Sequence, residues 1–267
     1  MDRIDVILFE RELVNSREKA KVLIKHGQVL LNNEICTKPS KLVNETDKLE
    51  IINKLKFVGR GGYKLQKALE DFGINLQDKV CLDVGASTGG FTDCMLQYGA
   101  KKIFALDVGH SQLDETLKGN KKVISMEKLN IREVDNEIFD SEIDFITVDV
   151  SFMSVNLILF KLSELINKNG EIVILLKPQF EAGKVNIKKK GLVKSKKIHL
   201  LVLKNIVEST KEHNLFIKGL INSPIKGGEG NIEYLLYLSK SEESQIIVDI
   251  KDVVEKAFKE ENYKNVY

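Results

Sequence analysis

The stretch that most limits what this chain can fold into is Val80-Cys-Leu-Asp-Val-Gly-Ala-Ser-Thr-Gly-Gly-Phe-Thr92. It begins with an apolar run, Val80 to Val84, of the length and β-branched content of a buried parallel strand. Asp83 interrupts that run near its carboxyl end, Gly85, Gly89 and Gly90 follow, and a helical pattern continues through Leu96. A strand, a glycine turn and a helix in this order form the ligand-holding corner of a doubly wound α/β sheet. The next apolar strand, Lys102 to Leu106, ends on Asp107. That acid falls about 20 residues after the turn, the spacing at which a carboxylate accepts hydrogen bonds from ribose hydroxyls.

The series Gly85-x-Ser87-x-x-Gly90 lacks one glycine of the dinucleotide pattern. S-adenosylmethionine fits this turn better than a nicotinamide dinucleotide does. It has no pyrophosphate to set against the helix N-terminus, and Asp83 offers a carboxylate to an amino-acid ammonium.

Around this corner the chain alternates strands and helices. Strands are expected near 80–84, 102–106, 122–126, 144–149 and 171–177, with helical patterns between them. Two further strands, about 215–221 and 233–239, close the sheet, and the Gly227-Gly228-Glu229-Gly230-Asn231 turn suits a hairpin return into the last one. A terminal helix from Ile250 to Asn262 turns Val253, Val254, Ala257 and Phe258 inward.

A chain of 267 residues has room for one small domain besides this one. Met1-Asp-Arg-Ile-Asp5 carries acids and no apolar leader, and runs such as Ile172 to Leu176 are too short to span a bilayer. Cys36, Cys81 and Cys94 have neither metal-ligand nor disulfide spacing. A cytoplasmic protein without a metal is therefore expected. The net charge of +2 is unevenly spread. Between Lys161 and Leu200 stand 10 Lys/Arg against 3 Asp/Glu, and between Met1 and Arg60 there are 12 against 9. The basic run holding Lys184, Lys188, Lys189, Lys190, Lys194, Lys196 and Lys197 reads as a clamp on an RNA backbone.

Residues 1–53 read as the small domain. Ile4 to Leu13 is a first helical pattern, Asn15-Ser16 caps a second from Arg17 to His26, and Gly27 closes it. Ala20, Leu23 and Ile24 face inward, while Arg17, Lys21 and Lys25 make a basic stripe at four-residue spacing. Val29–Leu31, Asn32-Asn33 and Glu34-Ile35 form a hairpin, and Leu49 to Ile52 adds a strand. The segment resembles the S4 RNA-binding module in Arg3-x-Asp5-x-x-Leu8, Ser16-Arg17-x-x-Ala20, Ile24-x-x-Gly27-x-Val29, Lys38-Pro39-Ser40 and Asp47. The resemblance implies contacts from Arg3, Arg17, Lys21 and Lys25 to the phosphates of folded RNA, read by shape. Arg60, in the connection at 54–62, is expected to join them.

Doubly wound folds bind at the carboxyl ends of their strands. Asp149 ends the fourth strand and Lys177 the fifth, and each closes an apolar run, which is costly unless the charge is paired or solvated. Lys64, in Gly59-Arg-Gly-Gly-Tyr-Lys64, enters the helix Leu65 to Phe72 where the helix dipole disfavours a cation, and Glu233 flanks the glycine turn. Taken singly these are ordinary salt-bridge formers. As a set, two lysines among two carboxylates suit deprotonation of a sugar hydroxyl by an amine made less basic by burial and a second cation. Amino-directed base methylation is disfavoured because Asp149-Val-Ser-Phe152 stands where Asn/Asp-Pro-Pro-aromatic is needed, and Cys81 and Cys94 lie too early for a carbon-directed nucleophile.

Taken together, residues 1–240 resemble the TlyA group, once called haemolysin A, in which an S4 domain precedes an FtsJ-like RNA ribose 2′-O-methyltransferase. The group's Lys-Asp-Lys-Glu tetrad falls on Lys64, Asp149, Lys177 and Glu233, in Arg60-Gly-Gly-Tyr-Lys64, Val148-Asp-Val-Ser-Phe152, Leu176-Lys-Pro-Gln-Phe180 and Gly230-Asn-Ile-Glu-Tyr234. Its cofactor turn falls on Asp83, Gly85, Ala86, Ser87, Gly89, Gly90 and Phe91, with Asp149 beside it, Asp107 at the ribose and Asn130 near the adenine. The resemblance implies a class I, Rossmann-like methyltransferase domain over 63–267, S-adenosyl-L-methionine as cofactor, and cytidine riboses of ribosomal RNA in ribosomal subunits as substrate. A monomer acting on RNA and not on membranes is expected. The chain departs from some relatives in the connection, where Leu55-Lys-Phe-Val58 replaces Arg-x-Trp-Val. Glu229 is the rival of Glu233 for the fourth place in the tetrad.

Overall fold

A computed structural model describes the chain apart from residues 15, 26, 53–55, 184–190, 228–229 and 260–267, with no side chain given for Ser244. The described residues divide into two compact units, one spanning Met1–Arg60 and one beginning at Gly61.

The first unit contains β1 (Asp2–Arg3), α1 (Ile4–Glu10), α2 (Arg17–Lys25), β2 (Val29–Leu31), β3 (Glu34–Ile35), β4 (Leu42–Val43) and β5 (Leu49–Ile51). Helix α1 stops short of the expected Leu13 because the chain turns at Glu12, whose φ is 56°. The Ser16 hydroxyl accepts the Lys19 N–H at 3.1 Å and caps α2. Asn32 and Asn33 take φ of 53° and 66°, the geometry of a two-residue hairpin, and set Leu30 opposite Ile35. β5 pairs antiparallel with the other edge of β2, while β1 pairs with β4. Ile4, Leu8, Ala20, Ile24, Val29 and Val43 fill the interior.

The second unit runs α3 (Gly61–Phe72), β6 (Val80–Val84), α4 (Gly90–Gln97), β7 (Lys102–Asp107), α5 (Glu115–Lys118), β8 (Val123–Glu127), β9 (Ile143–Val148), α6 (Leu159–Leu165), β10 (Ile166–Leu176), α7 (Pro178–Glu181), α8 (Lys196–Glu212), β11 (Phe216–Asn222), β12 (Tyr234–Ser239) and α9 (Ile250–Lys259). Its sheet has the order β11-β12-β10-β9-β6-β7-β8. The five strands from β10 to β8 in that order are parallel, and β12 enters antiparallel between β10 and β11. From β6 the chain goes to β7 on one side and comes back to β9 on the other. The switch point of the doubly wound sheet therefore lies between β6 and β9.

All five residues of β6 are buried, as a central parallel strand requires. Val80, Leu82 and Val84 join the large apolar core that also takes Leu162 of α6, Leu203 of α8 and Val254 and Ala257 of α9. Asp83 alternates to the opposite face, toward Thr92 of α4. In α9, Val253 and Phe258 pack against the same core, and the expected helical residues beyond 259 lie outside the described ones.

Candidate active site

Asp149 follows β9 directly, and its N–H donates to Val84 O at 2.9 Å. That bond sets the acid against the glycine turn. Gly85 has a φ of 84°, and a Cβ there would lie 2.6 Å from Asp149 O, so only glycine lets the two backbones meet. Lys177 follows β10, the neighbour of β9, and its Nζ lies 2.6 Å from Asp149 Oδ1 while donating to Ser151 Oγ at 2.9 Å.

The second pair forms across the sheet. Helix α3 begins four residues earlier than the expected Leu65, which puts Lys64 in its first turn. Lys64 Nζ donates to Glu233 Oε2 at 2.6 Å, and both side chains are almost wholly buried. Glu233 stands just before β12, with its carbonyl accepting the Ser223 N–H at 2.8 Å. Gly61, three residues before Lys64, sets the start of α3 against Asp149: a Cβ on it would lie 3.9 Å from Asp149 Oδ2 and 3.4 Å from the buried Phe91 ring. Two short, charge-assisted contacts thus hold two lysines and two carboxylates at the carboxyl end of the sheet.

Asp107 organises the neighbouring rim. Its Oδ2 accepts the Ser87 N–H at 2.8 Å and its Oδ1 the Gly109 N–H at 2.7 Å. A carboxylate has about four acceptor positions, so each oxygen keeps one for a further donor. Ala86 N donates to Leu106 O at 3.1 Å, and Ser87 takes a φ of 49°. Gly89, at φ 95°, leads into Gly90 at the start of α4, and a Cβ on Gly89 would lie 2.2 Å from Leu117 Cδ1. Leu129 N donates to Asp107 O at 3.1 Å, which keeps Asn130 nearby, where its Oδ1 caps a short turn by accepting the Arg132 N–H.

Asp83 is placed differently from the expectation that it faces an ammonium. It is completely enclosed, and its two oxygens accept the hydroxyls of Thr92 at 2.6 Å and Thr147 at 2.9 Å. Burial, with the charge of Asp149 adding to it, pushes its carboxyl up to about 6. Cys81 and Cys94 are completely buried as well, and burial drives the Cys81 thiol far up, which leaves it unsuited to nucleophilic work.

In the first unit, Arg3 Nε and Arg17 Nη2 reach the enclosed Asp5 at 2.9 and 3.3 Å. Burial opposes charge there, but the two guanidinium groups outweigh it and hold the Asp5 carboxyl below its usual range. Both arginines remain about half exposed, Lys21 Nζ lies 3.7 Å from Glu18, and Lys25 is exposed. Arg60, partly exposed, closes the unit, and Phe57 of the connection is buried with Lys56 Nζ 5.1 Å from its ring centre. Lys188, Lys189, Lys190 and Glu229 lie outside the described residues.

One residue beside the tetrad was not singled out by motif reading. Phe152 is 91% exposed at a φ of 64°, its ring 5.1 Å from that of Phe180, which in turn lies 5.8 Å from Lys177 Nζ. A bulky side chain at positive φ is strained, and here it is also turned out to solvent. The only signal in the sequence is an aromatic residue three places after a strand-ending acid.

The FtsJ-like methyltransferase model matches residues 57–240, over half of the chain, and the S4 domain model matches residues 2–49. The chain belongs to the FtsJ-like methyltransferase family. This FtsJ-like methyltransferase is 43% identical to a Bacillus subtilis protein, YqxC, provisionally named an rRNA methyltransferase, over 97% of this chain and 94% of that one. It is 33% identical to the TlyA protein of Mycobacterium tuberculosis, named a 16S/23S rRNA (cytidine-2′-O)-methyltransferase, over 97% of each. A solved structure from Streptococcus thermophilus, provisionally named a hemolysin, superposes with a TM-score of 0.78 at 42% identity, covering 97% of this chain and 96% of that one. The S4 segment places the chain in the TlyA group of the family. No helix among the described residues is long and apolar enough to cross a membrane.

Proposed function

We propose that this FtsJ-like methyltransferase moves a methyl group from S-adenosylmethionine to the 2′-hydroxyl of a cytidine ribose in ribosomal RNA, presented on ribosomal subunits in the cytoplasm. The observation that carries the reading is the pairing of Lys64 with Glu233 and of Lys177 with Asp149, each at 2.6 Å, beside the Gly85 turn at the switch point of the sheet.

The residues present fit the cofactor. The turn at Gly85 packs against the Asp149 backbone and excludes a Cβ, and Asp107 keeps acceptor positions for ribose hydroxyls. Gly85, Ala86, Ser87, Gly89, Gly90 and Phe91 would shape its seat, with Asn130 on the adenine side. When bound, S-adenosylmethionine supplies a methyl group on a positively charged sulfur. Asp83 contributes from within, tying α4 and β9 to β6 through Thr92 and Thr147.

Lys177 Nζ takes the proton of the attacking 2′-hydroxyl, and Asp149 and Ser151 keep that nitrogen turned toward the crevice. Lys64, held by Glu233, supplies the second positive charge, which stabilises the oxygen as it loses its proton. Phe152 offers an exposed aromatic face to a base drawn out of its stack. Residues 1–53 supply RNA recognition, 54–62 the connection and 63–267 the transferase. Arg3, Arg17, Lys21, Lys25, Arg60 and Lys188–Lys190 lend charge to phosphate binding.

The test is incubation with tritiated S-adenosylmethionine and unmodified ribosomal subunits, followed by digestion of the RNA to nucleosides. Label in 2′-O-methylcytidine is the expected result. Label in a base-methylated nucleoside, or none in either subunit, contradicts the proposal.

A further inference from the structure

Glu233 belongs to no helix or strand, so its position must be set by its surroundings. Gly227 approaches it so closely that a Cβ there would lie 2.3 Å from Glu233 Oε1. Asn231, two residues upstream, is buried, and both ends of its amide are used. Its Oδ1 accepts the Val193 N–H at 3.0 Å, and its Nδ2 donates to Gly191 O at 2.9 Å. Its backbone carbonyl accepts the Gly227 N–H at 2.9 Å, closing the turn.

The other flank of Glu233 reaches the same segment. Tyr234 is completely buried, and its hydroxyl lies 2.8 Å from His199 Nδ1, while His199 Nε2 lies 2.9 Å from Val193 O. Since a carbonyl can only accept, Nε2 carries the proton and Nδ1 accepts from the tyrosine hydroxyl. Gly191–Val193 is therefore bonded on one side by the residue two before Glu233 and on the other through the residue after it. A buried amide is costly unless it is hydrogen-bonded, and both polar atoms of this one have a partner.

We propose that Asn231 is a positioning residue for the methyl transfer. It clamps Gly191–Val193 and the Gly227 turn around Glu233, so that the carboxylate is walled by Gly227 and held on Lys64 Nζ. His199, neutral and bonded at both ring nitrogens, backs the clamp from the far side. The proposal rests on the tetrad acting as described under Proposed function. Asn231 acts through Glu233, and truncating its amide frees the carboxylate to leave Lys64.

A double-mutant cycle reads this directly. Single-turnover transfer is measured for the wild type, Asn231→Ala, Glu233→Gln and the double variant, together with cofactor and RNA affinities. Asn231→Ala is expected to slow transfer by about 10- to 100-fold with both affinities nearly unchanged, as misplacement of a catalytic group does. The double variant is expected to be no slower than Glu233→Gln, because the clamp has nothing left to position. Multiplicative losses in the double variant, or a loss confined to affinity, overturn the proposal. Should Asn231→Ala fail to fold, Asn231→Asp, which keeps an acceptor for the Val193 N–H and removes the donor to Gly191 O, enters the same cycle with the same two readings.

A second readout needs no turnover. The Lys64 ammonium protons, followed by nitrogen-15 NMR, are expected to exchange slowly in the wild type and in the core variant Ile172→Ala, and rapidly in Asn231→Ala. Rapid exchange in all three, or slow exchange in all three, overturns the clamp. A wild type that transfers no methyl yet shows the expected exchange pattern fails the functional reading and leaves the clamp standing.

Discussion

A carboxylate without solvent needs donors, and Asp83 has two, the hydroxyls of Thr92 and Thr147. They only partly offset burial, which moves the group from 3.8 to about 6. Between those values the folded protein retains a proton that the unfolded chain has released. Stability from this group is thus greatest at low pH, falls as pH rises through that window, and is level above it. Two pH units correspond to about 3 kcal/mol. Urea unfolding of the wild type and Asp83→Asn across the window checks this: wild-type stability minus that of the variant is expected to decline by that order, and a pH-independent difference refutes it. Phe152 makes the second argument at this scale. Stacking a base on an exposed ring contributes about 1–3 kcal/mol, so Phe152→Ala is expected to raise the KM for RNA by about 5- to 150-fold. Cofactor affinity, measured by calorimetry, should be unchanged, and an unaltered KM would remove Phe152 from the substrate site.

The strand, turn and helix around Gly85 were legible because a central parallel strand is a continuous apolar run and its turn needs glycine. Gly85→Ala forces a Cβ to within 2.6 Å of Asp149 O at a φ of 84°. The variant is expected to lose about 1–3 kcal/mol of stability and at least about ten-fold in cofactor affinity, measured by thermal unfolding and calorimetry. Normal cofactor binding would show that the turn is not the cradle. Other elements were readable in proportion to their pattern. The Asn32-Asn33 hairpin carried its own turn chemistry, whereas β1 and β4, two residues each, have too little sequence for any period to register. Helix α3 begins at Gly61 because glycines that read as a loop are accommodated in its first turn. Asp83 was misjudged for a related reason: its place among apolar neighbours showed burial, but not that two threonines from α4 and β9 already occupy it. Lys177 and Asp149 were readable as ends of adjacent strands, while Lys64 and Glu233, 169 residues apart, meet through tertiary packing that family resemblance alone brought together. The Asn231 amide left no trace in the sequence, since its partners at Gly191 and Val193 are backbone atoms.

At the scale of the molecule, a unit of S4 type and a transferase unit share a chain whose positive charge is concentrated in a few segments. Because phosphate binding releases counterions, each contact adds to the salt dependence of affinity. Replacing Lys188, Lys189 and Lys190 with Ala is expected to weaken RNA binding and to reduce the slope of log affinity against log salt by about 3 if each lysine neutralises one phosphate. An unchanged slope would return that run to the solvated surface. The central claim, that the paired lysines and carboxylates transfer methyl to a ribose, meets its most direct test in Lys177→Ala. Single-turnover transfer from tritiated S-adenosylmethionine to unmodified ribosomal subunits should fall by about 100-fold or more, the contribution of a positioned base, while cofactor affinity stays within a few-fold of wild type. Transfer at a near-normal rate, or a loss explained wholly by weaker cofactor binding, would contradict it.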